Sequence, residues 1–482
     1  EKSDLEKFRL TGIDATSEDT TIAISERHGV RNKQQQDACS VADLEFKSSA
    51  ATNPIAFFQD ANRKIIEAHK FCNNGSTFCS FVFQPNQENI LASKITTNNL
   101  GDSRLSMIAE DINGEYFSIS LTKDHNFENR DFRNFINQPN SDFEIVSERL
   151  QNRQRTKIVR KNYDIENVWA TVVGSIGDYA AFRKQDEINE RKELIGYPFT
   201  QFDIAQFSLG EIFSKLNITA KNVNLILACD GVWDLIADDY QLNISDSVLK
   251  ITKNSPQQNK TNLAEIQQEF NQRLNSRLNP IKDKSLAAFI TRKAYKHGST
   301  DNITAEVFQI MKDGRLTINR PIIAAVADGH GESEILDLNN INKSDGAIVA
   351  ASIVATTMTL AQGKEILGLE NERYVADLIT AYSQEFGSVN SAITELNKTD
   401  SQIILEEGEE KVTEGALEEN RKNIKRAFDV EETPKKPESE SNQNISNEKT
   451  KPGTAVTTDQ NSSCCSPISF SNLFGRFRQR NS

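Results

Sequence analysis

Short apolar runs, separated by polar or glycine-containing turns, recur along the chain up to about residue 360. The runs at 78–83, 225–229 and 322–327 have the length of strands and are apolar throughout, which is typical of strands buried on both faces. Residues 53–71 carry apolar side chains at helical spacing, and 347–361 predicts a buried helix because it is shorter than the roughly 20 apolar residues of a membrane span. Many short strands with flanking helices favour a layered α+β architecture.

Two segments differ from this pattern. Residues 127–160 are charged and rich in Asn, and we predict exposed helix there. From about residue 400 the chain becomes acidic and then rich in Pro, Ser, Asn and Lys, a composition that is typical of disorder. We therefore predict one folded domain over residues 1–400, with its motifs between 20 and 360, and a disordered tail over 401–482.

The net charge of −13 over 482 residues disfavours a general nucleic-acid binder, because no basic patch is present to neutralise phosphates. No transmembrane segment is predicted. The six cysteines show neither zinc-ligand spacing nor a dense disulfide pattern, which indicates a reducing compartment. We expect a cytoplasmic protein.

Candidate chemistry lies in four short acidic motifs, most of which adjoin an apolar run. They are Asp328-Gly329-His330-Gly331, Gly101-Asp102-Ser103-Arg104, Asp230-Gly231-Val232-Trp233-Asp234 and Gly298-Ser299-Thr300-Asp301-Asn302. An isolated Asp-Gly is usually a turn, whereas four such motifs at strand ends are able to converge on one cluster. Carboxylate oxygens suit Mg²⁺ or Mn²⁺, and Asp230, Asp301 and Asp328 are the natural ligands. His330 is placed to protonate a leaving oxygen.

Together, these motifs resemble those of the metal-dependent protein serine/threonine phosphatases, the protein phosphatase 2C-like family. The matching segments are 75–77 (Gly-Ser-Thr), 99–104, 121–125 (Leu-Thr-Lys-Asp-His), 177–178 (Gly-Asp), 227–234, 299–304 and 326–331. The resemblance extends over about residues 15–360. It implies a central β-sandwich of two antiparallel sheets flanked by helices, with the metal site at one edge between the sheets.

The resemblance also implies a role for each matching residue. Asp328 is the bridging ligand of two cations, Mg²⁺ or Mn²⁺, beside the Gly329 carbonyl. The other implied ligands of this pair are Asp230 and Asp301, with Asp37 either as the remaining ligand or as the carboxylate that holds a metal-bound water. Asp178 and Asp234 are implied for a weaker third cation. His330 is the general acid, and Arg31 is the candidate for binding the substrate phosphate.

The implied activity is hydrolysis of phosphoserine and phosphothreonine in phosphoprotein substrates, by attack of a water that bridges the two cations. We expect a monomer without a nucleic-acid partner. The Gly101-Asp102-Ser103-Arg104 motif is more typical of a structural turn than of a catalytic element.

Two features differ from the family pattern. The Asp328 strand normally comes between the Asp37 motif and the Gly-Ser-Thr motif, whereas here it follows Asp301. Either this segment returns in space to the usual slot, or the order of the chain is not the genetic order. We favour the first, because a sheet tolerates altered connections when strand neighbours persist. Arg31 is also displaced by one position, with Asn32 where the family has its arginine.

These differences leave a second interpretation open, in which the protein is a catalytically weak or inactive phosphatase-fold protein that binds or regulates a partner. The Glu-rich tail also resembles the export signals of secreted bacterial effectors. A secreted effector that acts in a host cytosol is therefore the alternative to a resident cytoplasmic protein.

Overall fold

The computed structural model describes residues 12–17, 21–27, 36–70, 72, 74–127, 133–134, 136–137, 143–150, 153–160, 169–170, 172–178, 200–245, 248–257, 259–276, 283, 285–330, 346–363 and 403–407. The chain divides into two compact units, Glu1–Glu431 and Glu432–Ser482. All described residues belong to the first unit. Among them, no helix is long and apolar enough to cross a membrane.

The described part of the chain is mainly β-structure. In chain order the strands are β1 (Gly12–Ser17), β2 (Ile22–Arg27), β3 (Asp37–Asp43), β4 (Gly75–Gln84), β5 (Lys94–Leu100), β6 (Arg104–Asp111), β7 (Tyr116–Ser120), β8 (Phe143–Leu150), β9 (Arg153–Arg160), β10 (Trp169–Ala170), β11 (Ile176–Gly177), β12 (Asp203–Ser208), β13 (Ala220–Ala228), β14 (Ile236–Ala237), β15 (Tyr240–Ser245), β16 (Val248–Lys253), β17 (Thr261–Asn262), β18 (Ile303–Lys312), β19 (Arg315–Leu316), β20 (Ile322–His330) and β21 (Ile403–Glu407). The helices are α1 (Ser49–Thr52), α2 (Pro54–His69), α3 (Leu209–Leu216), α4 (Asp230–Trp233), α5 (Leu263–Leu274), α6 (Leu286–Lys296) and α7 (Gly346–Ala361), with a 3₁₀ turn at Ile90–Ala92.

Two sheets dominate the fold. The larger one has the strand order β16-β15-β7-β6-β13-β18-β2-β1-β21, and β19 pairs with β18. The smaller one has the order β12-β5-β4-β20-β3, and β11 pairs with β4. Neighbouring strands in both sheets are antiparallel, except that β15 runs parallel to β7.

The two sheets pack face to face and helices cover their outer faces. Between the sheets, the rings of Phe81 and Phe308 lie edge to face with centroids 5.1 Å apart, and both side chains are fully buried. Helices α2 and α7 pack on the smaller sheet, and α5 and α6 pack on the larger one. The predicted α+β fold, a sandwich of two antiparallel sheets flanked by helices, is confirmed.

Local sequence signals explain where the covering helices begin. Asn53 caps α2 by accepting a hydrogen bond from the Ala56 N–H, and Pro54 occupies the first helical position, where no amide donor is needed. The apolar segment predicted as a buried helix forms α7, which packs on the smaller sheet. His69 joins the two helices, since its Nε2 lies 2.5 Å from the Ser352 hydroxyl.

Strand β20 occupies a position that its place in the chain does not reveal. It lies between β3 and β4, with Asp328 opposite both Asp37 and Thr77, and His330 opposite Gly75. This is the slot between the Asp37 motif and the Gly-Ser-Thr motif. The prediction that the displaced segment returns in space to that slot is confirmed.

The exposed helix predicted for residues 127–160 is wrong, because β8 and β9 form an antiparallel hairpin there. Phe143 and Ile145 pack with the buried Ile158, and Ile145 pairs directly with Ile158 across the hairpin. A period of two therefore underlies this segment, although its charged composition obscures the pattern. In the segment predicted as a tail, β21 pairs with β1 at the edge of the larger sheet.

Candidate active site

The acidic motifs meet where strands of the two sheets end. Asp37 begins β3 and lies opposite Asp328 on β20. Asp230 follows β13, and its strand end is tied to the start of β18 by a hydrogen bond from the Cys229 N–H to the Thr304 carbonyl at 3.2 Å. Asp301 lies in the turn just before β18. The predicted carboxylates of both sheets are thus brought to one edge of the sandwich.

The carboxyl groups at this edge affect one another's protonation. Burial raises the pKa of Asp37 to about 7, and the charges of Asp301 and Asp230 contribute to the shift. Burial also raises the pKa values of Asp230 and Asp328 well above the usual range. Asp328 adds to the shift of Asp230, while Asp37 and Asp301 add to that of Asp328. Four neighbouring carboxylates therefore share one region of high negative potential.

A hydrogen bond from Thr304 orients Asp37 in this cluster. Thr304 Oγ1 donates to Asp37 Oδ2 at 2.6 Å, which favours the ionised form of that buried carboxyl group. The sequence interpretation did not assign a role to Thr304, although it lies within the matching segment 299–304.

His330 lies beside this cluster and contacts Asp178. Its Nε2 is 2.6 Å from Asp178 Oδ2, and Ser175 Oγ donates to the same oxygen at 2.5 Å. Although burial opposes the charged imidazolium, the Asp178 carboxylate raises the pKa of His330 above its ordinary value. Asp178 itself has a left-handed backbone, with φ 55°, directly after Gly177 at φ 92°. The structure thus places Asp178 next to His330. The sequence analysis had predicted Asp178 as a ligand of a third cation.

Close packing holds this pair in place. A Cβ added to Gly75 would lie 2.3 Å from Asp178 Oδ2 and 2.5 Å from His330 Nε2. A Cβ added to Gly346, at the start of α7, would lie 2.4 Å from the His330 carbonyl oxygen. The two glycines therefore let β4 and α7 approach the histidine from different sides.

The Gly101-Asp102-Ser103-Arg104 motif forms a structural junction, as expected. Arg104 binds Asp124 through two hydrogen bonds of 2.9 and 2.6 Å and reaches Asp238 at 3.1 Å. Its guanidinium also stacks over Trp233 at 4.9 Å from the ring centroid. Because Trp233 belongs to α4, which begins at Asp230, Arg104 braces the turn that carries a predicted ligand.

Asp102, in the same motif, also belongs to the acidic cluster, which the sequence interpretation missed. Burial raises the pKa of Asp102 to about 7, and the charges of Asp124 and Asp234 add to the shift. Asp102 in turn raises the pKa values of Asp230 and Asp328. Nothing in the local sequence distinguishes this aspartate from a turn residue, since its neighbours in space come from three other motifs.

The remaining predicted site residues have varied surroundings. Asp234 lies at the end of α4 with its side chain exposed to solvent. The Gly329 N–H donates to the Gln36 carbonyl at 2.9 Å, which ties β20 to the residue before Asp37. Arg31 lies outside the described residues.

The donor set fits a hard divalent cation in its chemistry. Every candidate ligand offers oxygen, as Mg²⁺ and Mn²⁺ prefer, and burial together with the neighbouring carboxylate charges raises the pKa values of Asp37, Asp230 and Asp328. Asp230 Oδ1 is buried and has no hydrogen-bond partner among the described residues. As they stand, however, no three Asp, Glu, His or Cys side chains in the described parts of the chain are arranged to hold one ion.

Comparison with known proteins identifies the family of this chain. The family model for protein phosphatase 2C matches residues 16–303. This match covers more than half of the chain, and the chain belongs to the protein phosphatase 2C family. The matched segment ends before β20, the strand that supplies Asp328.

Among solved structures, the chain is similar to a serine-threonine phosphatase 2C from Toxoplasma gondii, with 15% identity, a TM-score of 0.36, and coverage of 62% of this chain and 99% of that one. It is also similar to a C. elegans sex determining protein, with 14% identity, a TM-score of 0.33, and coverage of 63% and 66%. A bacterial serine phosphatase matches with 12% identity, a TM-score of 0.29, and coverage of 61% and 98%. No curated protein sequence matches the chain.

Proposed function

We propose that this protein is a Mg²⁺- or Mn²⁺-dependent phosphatase that hydrolyses phosphoserine and phosphothreonine in proteins. The observation that carries the proposal is the position of β20, which brings Asp328 opposite Asp37. In the sequence, Asp37 comes before the other motifs and Asp328 belongs to the last one. The order of the motifs along the chain differs from that of the family. The pairing of β20 with β3 nevertheless places Asp328 beside Asp37, the arrangement that the family's chemistry needs.

Four carboxylates would hold the cations, with Asp328 between the other three: Asp37, Asp230 and Asp301. When bound, two divalent cations supply an activated water nucleophile and neutralise charge on the phosphoryl oxygens. The protein's own contribution is to keep the ligands at fixed strand ends. Thr304 orients Asp37, and the braced α4 turn orients Asp230.

His330 is the residue that would protonate the leaving serine or threonine oxygen. Asp178 favours the protonated imidazolium and fixes the orientation of the ring. Because Asp178 already accepts hydrogen bonds from His330 and Ser175, we assign it to positioning the acid rather than to a third cation. Asp234 and Asp102 remain the carboxylates available for that cation.

The alternative function is that of a weakly active or inactive phosphatase-fold protein that binds a partner. The displacement of Arg31 from the family's arginine position favours it, since a bidentate guanidinium is the usual way to hold a phosphate dianion. The proposed compartment is the cytoplasm, and the acidic tail favours a secreted effector as the second choice.

The test is turnover of a phosphoserine peptide and of p-nitrophenyl phosphate with added Mn²⁺. We expect activity in the wild-type protein and none in Asp328→Asn, because an amide cannot supply the charge that holds two cations. Asp313→Asn is the matched control, since Asp313 lies in an exposed turn at φ 48°, a conformation that Asn accepts. Wild-type protein without activity on either substrate would support the binding protein instead.

A further inference from the structure

The hairpin β15–β16 extends the larger sheet beyond its central strands. It joins through a short parallel contact, in which Tyr240 lies opposite Ile119 and Gln241 opposite Ser120. Within the described residues, β16 pairs with β15 alone. One edge of β16 therefore presents backbone donors and acceptors to an incoming strand.

A groove of about 510 Å³ lies between β16 and α3. Gly210, Ser214 and Lys215 line it on the helical side, and Val248 and Leu249 line it on the strand side. Leu249 and Ile251 pack inward against the core between the sheets, so β16 is anchored and its outer edge stays in place.

Apolar side chains are exposed at this groove. Val248 is 49% exposed, and Leu91, 53% exposed, adjoins the groove beside Gly210, where an added Cβ would lie 3.1 Å from Leu91 Cβ. Exposed apolar groups that are rimmed by polar residues are typical of surfaces that bind other chains.

The charge around the groove selects the partner. Lys215, Lys250 and Lys253 are exposed, and none has an ion-pair partner among the described residues. Glu211 is engaged in capping its own helix, since it accepts a hydrogen bond from the Ser208 N–H at 2.7 Å. The surface is thus locally basic in a chain of net charge −13.

We propose that β16 and the adjoining groove bind an extended acidic segment of a partner protein, which adds as a strand to the open edge. Backbone hydrogen bonds would supply affinity, the exposed apolar groups would take alternate side chains, and the lysines would select acidic residues. A second copy of this chain fits less well, because pairing two β16 edges would bring like-charged lysines together. The site is independent of phosphatase activity.

The experiment measures fluorescence anisotropy of a labelled peptide of alternating Val and Glu, titrated with the full-length protein at low salt. A second peptide with proline in place of each valine keeps the charge but cannot form a strand. We expect saturable binding of the first peptide and at least tenfold weaker binding of the second. Comparable binding of both peptides would show that electrostatic attraction alone drives the interaction, which would overturn the proposal. Absence of binding by the Val/Glu peptide would overturn it as well.

Two variants locate the site. Val248→Asp should weaken binding at least tenfold, whereas Leu274→Asp, at a leucine of similar exposure on α5, should leave it unchanged. The double variant Lys250→Glu with Lys253→Glu should also lose binding, and Lys312→Glu on an exposed strand end should not. The charge-reversal effect should shrink at about 1 M salt, where the screening length is roughly 3 Å. Equal binding by the site and control variants, or strand pairing between copies seen as dimers in sedimentation, would contradict the proposal.

Discussion

A methyl group added at Gly75 tests how the site holds its candidate acid. The new Cβ would lie 2.3 Å from Asp178 Oδ2 and 2.5 Å from His330 Nε2, so one of the two side chains has to move. Asp178 is held by Ser175 and by a hydrogen bond from its own N–H to the Asn74 carbonyl at 3.2 Å. His330, whose side chain is 28% exposed, has room to turn outward.

The expected magnitude follows from the contact that breaks. A hydrogen bond to a charged group contributes about 1.5–3 kcal/mol, and overpacking a fixed site costs roughly 1–3 kcal/mol. Since part of the strain is relieved when His330 moves, we expect Gly75→Ala to lower the free energy of unfolding by about 2–4 kcal/mol. Loss of a positioned acid should slow phosphoserine peptides by roughly 10²-fold or more. p-Nitrophenyl phosphate should slow much less, because nitrophenolate leaves without protonation.

The assay combines urea unfolding with turnover of both substrates. Gly210→Ala is the control, because its added Cβ, 3.0 Å from the Leu91 carbonyl oxygen, requires that neighbour to shift by only a few tenths of an ångström, in a helix that accepts Ala. Unchanged stability and turnover in Gly75→Ala would refute the reasoning that this contact holds His330. An equal loss on both substrates would assign the histidine to metal binding or folding.

Three further outcomes are expected. Thr304→Val should leave Asp37 without its hydroxyl donor, lower the free energy of unfolding by roughly 1–3 kcal/mol and weaken Mn²⁺ binding in calorimetry; unchanged values for both would exclude this role. Burial lowers the pKa of His69 below its usual value of 6.5, so the unfolded chain takes up a proton that the folded chain resists. Stability should therefore fall as the pH drops below about 6.5, and the urea midpoint of His69→Gln should fall less between about pH 7.5 and 5.5; identical slopes would contradict this. EDTA should abolish turnover and added Mn²⁺ should restore it, whereas activity that persists in EDTA would exclude a metal requirement.

Much of the fold was predictable because most of its helices and strands follow from the pattern of apolar residues within a short segment of the sequence. The apolar runs at 78–83, 225–229 and 322–327 lie within β4, β13 with the following Cys229, and β20. The helical periods at 53–71 and 347–361 correspond to α2 and α7. In each of these elements, the spacing of the apolar residues in the sequence matches the way the helix or strand is buried, so the element can be predicted from residues close together in the chain. The hairpin at 143–160 was missed because its charged residues outnumber the apolar ones that pack.

The site was less predictable because it depends on contacts between distant strands. That β20 lies between β3 and β4 follows from sheet pairing, for which the sequence offered only the family resemblance. The contact between Asp178 and His330 depends on a left-handed turn at Gly177 that brings the carboxylate to β20. Asp102 joins the cluster through neighbours from other motifs. Such relations arise from tertiary packing and have no local pattern.

The account's central claim is that the carboxylates at this edge, Asp37, Asp230, Asp301 and Asp328, hold two cations in one site. Electron paramagnetic resonance of the protein titrated with Mn²⁺ tests this claim directly, because neighbouring Mn²⁺ ions are magnetically coupled. We predict a coupled spectrum that saturates at about two Mn²⁺ per chain, is lost in Asp328→Asn and persists in Asp313→Asn. A spectrum of isolated Mn²⁺ in the wild-type protein, or a coupled spectrum that Asp328→Asn leaves unchanged, would contradict it.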